Sequence, residues 1–145
     1  MTYWDTSALL KLYVAEPDSK YFLKLVAATK EALATSDLAR VEIFAALSRK
    51  ELAGELGSGA AKRLYARFLS HTASSLVVTL PVGLDVLDKA NELTEAALAV
   101  SPPIMIRSVD AIHVASATAI GAKTLIATDL RLRAVAVLAG LSVLP

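Results

Sequence analysis

Cysteine is absent from the sequence of 145 residues. Disulfide bonds and thiolate metal sites are therefore excluded, and any metal ion has to be held by other ligands. An excess of one charge is also lacking, because 15 lysines and arginines balance 14 aspartates and glutamates to a formal net charge of +1. The chain therefore has no overall attraction for nucleic acid, and such binding requires a local patch.

Long uninterrupted apolar runs are missing as well. The best candidate, residues 111–128, contains His113 and Lys123, so we expect no membrane span. The amino terminus has no positively charged stretch before an apolar one, so we expect no signal peptide and a cytoplasmic location. No linker rich in glycine, proline or serine divides the chain, and we expect a single domain over residues 1–145.

Apolar residues, in contrast, are abundant. They make up 55% of the chain and the mean hydropathy is +0.54, whereas charged residues make up 20%. This composition excludes intrinsic disorder. The apolar content exceeds that of an ordinary soluble domain. It favours either a core rich in helices or an apolar face that packs against a second chain.

Strand and helix patterns alternate along the sequence. Strands are predicted over residues 1–4, 31–35, 76–80, 124–127 and 141–144, and helices over 7–15, 17–29, 37–53, 60–71, 83–100, 108–120 and 130–139. Apolar strands separated by helices predict an α/β fold, with a central, mostly parallel sheet of about five strands covered on both faces. In such sheets, ligands bind beyond the carboxyl ends of the strands.

Acidic residues occur where predicted strands end and helices begin. Asp5 directly follows the first strand and Asp129 closely follows the fourth, while Asp110 lies in the first turn of a helix. Asp5 and Asp110 can each be explained as helix N-caps alone. Glu42 cannot, because it lies well inside its helix among apolar neighbours, and a buried charge must be paired or bind a metal.

Carboxylates without cysteine or paired histidines suit Mg²⁺ or Mn²⁺ rather than zinc. Three or four of them at one pole can hold one or two such ions, whose chemistry is phosphoryl transfer. Without metal the carboxylates repel one another, so at least one is expected to have a raised pKa. Another acidic group has the spacing of a solvent-exposed helix stripe, namely Asp85, Asp88, Glu92 and Glu95.

Four short segments follow one another in a distinctive order. They are Asp-Thr-Ser-Ala-Leu at 5–9, Ser36 with Glu42, Arg-Ser-Val-Asp-Ala-Ile-His-Val-Ala at 107–115, and Ile-Ala-Thr-Asp-Leu-Arg-Leu at 126–132. Together they resemble the PIN-domain ribonucleases, and specifically the VapC toxins of bacterial toxin–antitoxin pairs. The resemblance covers nearly the whole chain. It implies a single PIN domain over residues 1–145, folded as a three-layer α/β/α sandwich.

The resemblance also implies a function and a site. The function is that of a toxin, an endoribonuclease that depends on Mg²⁺ or Mn²⁺ and hydrolyses RNA phosphodiester bonds. Its catalytic and metal-holding residues are Asp5, Glu42 and Asp110, which match the family's core acids, and Asp129, which matches a more variable fourth acid. Residues expected to hydrogen-bond these carboxylates or the phosphate are Thr6, Ser7, Ser36, Arg107 and Thr128. The family often has threonine where Ala127 stands, so a supporting hydrogen bond to Asp129 is in question.

Partners follow from the same resemblance. RNA is the expected substrate, and a VapB-like antitoxin is expected to block the acidic pocket with an arginine, which pairs with carboxylates. Together with the apolar content, the resemblance predicts a homodimer through the alanine- and leucine-rich helices. The alternative function is that of a non-catalytic PIN-like binding module that acts as a protein partner, although the presence of all four acids argues against it.

Three further features each allow two interpretations. A lone histidine on an apolar helix, as His113 is, is more often a hydrogen-bonded core residue than a catalytic group. The basic stripe of Lys62, Arg63 and Arg67, with aromatic residues nearby, is either a solvated face or a surface for RNA. Trp4, in the first strand, is expected in the core rather than stacked on a base.

Overall fold

The computed structural model describes residues 1–29 and 31–145, which form five strands and seven helices. The strands are β1 (Thr2–Trp4), β2 (Leu33–Ser36), β3 (Val77–Leu80), β4 (Thr124–Ile126) and β5 (Ser142–Leu144). The helices are α1 (Thr6–Leu10), α2 (Ser19–Ala28), α3 (Leu38–Leu52), α4 (Ala60–Ala73), α5 (Leu84–Ala99), α6 (Ser108–Ala119) and α7 (Leu130–Leu138). Each predicted strand and helix is present, with ends that differ by a few residues.

The strands form one sheet in the order β3-β2-β1-β4-β5, and every neighbouring pair is parallel. The predicted fold class is therefore confirmed, with a sheet that is entirely rather than mostly parallel. From β1 the chain moves outward to β2 and β3, and it then returns to form β4 on the other side of β1. This reversal creates a crevice between the carboxyl ends of β1 and β4, which is the usual ligand position in such sheets.

Helices cover both faces of the sheet, because alternate strand residues point to opposite sides. Tyr3 belongs to a core built with α5, α6 and α7, whereas Trp4 belongs to a second core built with α1, α3 and α4. Both side chains are fully buried, which confirms the core position expected for Trp4. The result is the predicted three-layer α/β/α sandwich.

The first helical region differs from its prediction. The expected helix over 7–15 ends at Leu10, and the expected helix from residue 17 begins at Ser19. After Leu10 the backbone continues in turns with hydrogen bonds between residues three apart. The Ser19 hydroxyl then donates to the carbonyl of Val14 and accepts from the backbone N–H of Glu16. These bonds close a turn that separates α1 from α2.

The surface features read from the sequence are partly as expected. Lys62, Arg63 and Arg67 are exposed on α4, but the nearby Phe68 is buried in the core and cannot stack on a base. The four acids of the α5 stripe are exposed, as predicted. Within residues 1–29 and 31–145, no helix combines the length and the apolar character needed to cross a membrane.

Candidate active site

A cavity of about 330 Å³ lies at the carboxyl end of the sheet. It receives four acids from four separate parts of the fold: Asp5 after β1, Glu42 from α3, Asp110 from α6 and Asp129 after β4. Its other lining residues are Thr6, Ser7, Leu10, Ala46, Arg49, Arg107, His113 and Thr128. The structure therefore brings together the four predicted acids and four of the five predicted accompanying residues, with Ser36 as the exception.

Asp5 and Asp129 hold matching positions after two adjacent strands. The backbone N–H of Asp5 donates to the carbonyl of Ile126, which links the two strand ends. Each carboxylate caps the following helix. Oδ1 of Asp5 accepts from the N–H of Ala8 at 2.8 Å, and Oδ1 of Asp129 accepts from the N–H of Arg131 at 2.8 Å. Capping fixes both side chains at the edge of the cavity.

The environment of Asp5 disfavours its negative charge. Burial raises the pKa of the Asp5 carboxyl above its ordinary value, although hydrogen bonds from the N–H of Ala8 and the hydroxyl of Ser7 oppose the shift. A raised pKa was expected for one of the acids, but through repulsion between carboxylates. The main cause is instead the loss of water around Asp5.

Arg107 carries positive charge into the cavity. Its Nε lies 2.7 Å from Oδ2 of Asp110 and its NH2 group lies 3.1 Å from Oδ1, so the pair is bidentate. The same NH2 group lies 3.6 Å from Oδ2 of Asp129. The Arg107 side chain is 63% exposed, whereas that of Asp110 is 10% exposed. The exposed Arg107 side chain thus neutralises Asp110 and Asp129 from the solvent side.

Glu42 is held by two donors. Its Oε2 accepts from the hydroxyl of Thr6 at 2.5 Å and lies 2.7 Å from Nε2 of His113. Burial opposes ionisation of Glu42, but the hydrogen bond from His113, the hydrogen bond from the hydroxyl of Thr6 and the positive charge of Arg107 outweigh it. The pKa of Glu42 is therefore below its ordinary value. Glu42 is accordingly a carboxylate at neutral pH.

Two of the polar lining residues, His113 and Arg49, were not predicted as part of the site. His113 is buried and hydrogen-bonded, as expected of a core histidine, but it also contacts Glu42 directly. Its position three residues after Asp110 could have indicated this, because residues three apart on a helix lie on the same face. Arg49 lines the cavity from α3, where it follows Glu42 by two helical turns.

The remaining predicted residues have distinct positions. Ser36 ends β2 as a fully buried residue, and its hydroxyl accepts from the N–H of Leu38 at 3.2 Å, as a helix cap does. The hydroxyl of Thr128 lies 2.8 Å from that of Ser7, which in turn donates to Oδ2 of Asp5. Thr128 thus supports Asp5 rather than Asp129.

The carboxylates do not form a closed metal cage in this arrangement. Among the described residues, no three side chains of the types His, Cys, Asp and Glu lie close enough together to hold one metal ion as they stand. The guanidinium of Arg107 lies against Asp110 and Glu42 leans toward His113. The donors themselves are carboxylate oxygens, which fit Mg²⁺ or Mn²⁺ in chemistry.

Two larger hollows lie elsewhere and differ in character. One of about 820 Å³ lies between α3 and α4, and one of about 540 Å³ lies at the amino ends of β2 and β3. Both are lined more by apolar than by charged residues. The concentration of acids therefore singles out the smaller cavity for chemistry.

Comparisons with known proteins agree with this geometry. The family model of the PIN domain matches residues 2–138. Ribonuclease VapC47 from Mycobacterium tuberculosis (strain CDC 1551 / Oshkosh) is 33% identical over 123 residues, which span 83% of this chain and 76% of the relative.

Solved structures have the same fold. VapC20 of Mycobacterium tuberculosis, a toxin that cleaves the sarcin–ricin loop, gives a TM-score of 0.70 at 23% identity, over 92% of this chain and 94% of that one. A toxin–antitoxin complex from Klebsiella pneumoniae gives a TM-score of 0.59 at 17% identity, over 92% and 91% of the two chains. The chain described here belongs to the PIN domain family and, within it, to the VapC-type toxins, which confirms the resemblance seen in its motifs.

Proposed function

We propose that this chain is a metal-dependent endoribonuclease, the toxin of a toxin–antitoxin pair, that hydrolyses RNA phosphodiester bonds in the cytoplasm. The observation that carries the proposal is the convergence of four carboxylates from four separate elements on one cavity, at the crevice between β1 and β4. The relatives support RNA as the substrate class, because VapC47 is a ribonuclease and VapC20 cleaves the sarcin–ricin loop.

The cavity suits a divalent cation. Its candidate ligands are Asp5, Glu42, Asp110 and Asp129, and their oxygens are the donors that Mg²⁺ and Mn²⁺ prefer. The guanidinium of Arg107 already lies against Asp110 and near Asp129, so the cavity accepts positive charge. When bound, the ion supplies an activated water and neutralises charge on the scissile phosphate.

The chain's own residues supply orientation and substrate binding. Helix capping orients Asp5 and Asp129, and the hydroxyl of Thr6 helps to hold Glu42. Arg107 and Arg49 line the cavity, and the planar guanidinium group matches the geometry of a phosphate. Both arginines therefore hold the RNA backbone against the carboxylates.

The proposed partners are an antitoxin and a second copy of the chain. The toxin–antitoxin complex among the fold relatives supports a VapB-like antitoxin, one of whose arginines pairs with the carboxylates where Arg107 now does. Exposed leucines support a homodimer through the helices, because Leu52 and Leu84 expose 90% and 79% of their surface.

One observation favours a second candidate, the non-catalytic PIN-like binding module. Arg107 and Asp110 form a bidentate pair, and the described residues contain no ready-made metal group. Such internal pairing of Asp110 suits a module that has lost catalysis. An RNA cleavage assay at increasing Mn²⁺ concentrations separates the two candidates, since only the nuclease shows cleavage that depends on the ion.

The decisive experiment is a cleavage assay on total RNA with Mn²⁺ and, separately, with a chelator. We expect cleavage by the parent only with Mn²⁺, and a loss of several orders of magnitude in Asp110→Asn, because the ion provides both nucleophile and charge stabilisation. The matched control is Asp88→Asn, which changes an exposed acid on α5 and is expected to cut like the parent. Undiminished cleavage by Asp110→Asn, or equal cleavage with chelator, contradicts the proposal.

A further inference from the structure

His113 lies between the two helical layers and joins them at the edge of the sheet. It comes from α6, which packs on the Tyr3 face, whereas Glu42 comes from α3, which packs on the Trp4 face. The imidazole is 2% exposed, and both of its nitrogens have partners. Any buried imidazole is expected to be hydrogen-bonded, so the informative feature is that one of the two partners, Glu42, is a carboxylate that lines the acidic cavity.

The partners determine which nitrogen carries the proton. Glu42 is a carboxylate and can only accept, so Nε2 of His113, at 2.7 Å, must donate. In the neutral ring, Nδ1 then accepts from the hydroxyl of Tyr3 at 2.7 Å. Burial raises the pKa of this tyrosine far above its ordinary value, so its hydroxyl keeps the proton that it donates.

The contact has a defined effect on Glu42. Both donors, His113 and Thr6, bind Oε2. Within residues 1–29 and 31–145, Oε1 of Glu42 takes part in no hydrogen bond to the protein, and Glu42 lines the cavity. One oxygen of the carboxylate is thus anchored, and the other remains available as a ligand.

We propose that His113 is a positioning residue for RNA cleavage, which anchors Glu42 through Nε2–H while the Tyr3 hydroxyl fixes the orientation and tautomer of the ring. This inference rests on the proposed nuclease function. Its physical basis is that groups which hydrogen-bond a metal ligand orient it, and that their removal typically costs 10–100-fold in metal affinity or activity. Because His113 and Asp110 share α6, one helix supplies both an acid and the group that orients another.

The test compares two amide substitutions with different reach. His113→Gln can present an amide N–H near the position of Nε2 and keep the bond to Glu42, whereas the shorter His113→Asn can reach only toward Tyr3. We expect His113→Asn to bind Mn²⁺ roughly 10–100-fold more weakly in calorimetry, and His113→Gln to stay within a few-fold of the parent. Cleavage of total RNA at limiting Mn²⁺ should fall in the same order.

A second measurement uses the metal-free protein. The chain has two histidines, so the imidazole ¹⁵N resonances of His113 are readily assigned. We expect the Nε2–H tautomer in the parent, and a shifted Nδ1 resonance in Tyr3→Phe, where that nitrogen loses its donor. The matched control is His71→Asn, because His71 also bonds a tyrosine, Tyr13, but lies outside the acidic cavity. It should leave the Mn²⁺ affinity unchanged.

The outcomes separate this inference from the function on which it rests. If the parent binds Mn²⁺ and cuts RNA, and a folded His113→Asn does both equally well, the positioning role is wrong and the nuclease stands. Equal losses in His113→Asn and His113→Gln, with thermal melts lowered alike, mean a packing role and also overturn it. If the parent neither binds Mn²⁺ nor cuts RNA, both proposals fail together.

Discussion

Two tyrosine–histidine hydrogen bonds occur in the described part of the chain, at different ends of the sheet. Tyr3 and His113 meet at 2.7 Å beside the acidic cavity, and Tyr13 and His71 meet at 2.9 Å in the hollow at the amino ends of β2 and β3. Only the first pair continues to a carboxylate, that of Glu42. The pair alone therefore marks no site. Its surroundings do, because ligand sites in a parallel sheet lie beyond the carboxyl ends of the strands.

The largest expected difference between the two ends is in metal binding. Mn²⁺ at 10–100-fold above its dissociation constant should raise the free energy of unfolding of the parent by about 1–3 kcal/mol. Asp129→Asn should gain much less, although asparagine caps α7 as well as aspartate does. The measurement is a pair of thermal melts with and without Mn²⁺.

Glu31→Gln provides the control for this comparison, because Glu31 lines the hollow at the opposite end and pairs there with the amino terminus. It should gain as much from Mn²⁺ as the parent. An equal gain in all three proteins would mean that the ion binds away from the acidic cavity, and a missing gain in the parent would argue for the binding module.

The features that could be predicted depend on local sequence and on the sheet rule. Asp5 directly follows and Asp129 closely follows an apolar strand, so their meeting at one edge follows from parallel pairing alone. Glu42 stood out because a charge among apolar neighbours inside a helix requires a partner. The α/β/α architecture likewise follows from alternating strand and helix patterns.

The features that could not be predicted arise from contacts between distant segments. The bond from His113 to Glu42 spans 71 residues and joins two layers, and no local pattern encodes it. The direction of the Ser36 side chain could not be predicted either, because a serine at the end of a strand can equally cap a helix or face a cavity. In this chain it caps, through the N–H of Leu38. The turn closed by Ser19 depends on a single hydroxyl.

A smaller effect is expected from the charge on Asp5 in the metal-free protein. Because the folded-state pKa is raised, the native form binds more protons than the unfolded chain between the unfolded value of 3.8 and the raised value. Stability therefore falls as pH rises through that window, by about 1.4 kcal/mol for each unit of pKa shift. Asp5→Asn removes this loss and keeps the cap on α1, so it should be more stable than the parent at pH 7.

The advantage of Asp5→Asn should disappear at a pH below the unfolded value, where both side chains are neutral. Denaturant unfolding at several pH values measures it. Asp88→Asn, on the exposed face of α5 beyond its first turn, serves as the comparison and should follow the parent in stability. If Asp5→Asn is less stable at pH 7 and equally so at low pH, the hydrogen bond from the Ser7 hydroxyl to Oδ2, which asparagine cannot accept, matters more than the cost of burying the charge.

The smallest expected effect concerns Arg107, whose removal should change Mn²⁺ affinity and RNA cleavage in opposite directions. Its pair with Asp110 is largely solvent-exposed on the arginine side, so breaking it should change Mn²⁺ affinity by no more than about 5-fold, since exposed pairs contribute up to ~1 kcal/mol. Arg107→Gln should bind Mn²⁺ more tightly because a competing cation is gone, yet cut RNA more slowly because a phosphate contact is lost. The control is Arg40→Gln, since Arg40 also lies near an acid three residues away, Asp37, at 3.7 Å, but outside the acidic cavity. Calorimetry with Mn²⁺ and cleavage of total RNA at saturating Mn²⁺ give the two readouts. A variant that loses Mn²⁺ affinity and cleavage together would show that Arg107 holds Asp110 in place instead of competing for it.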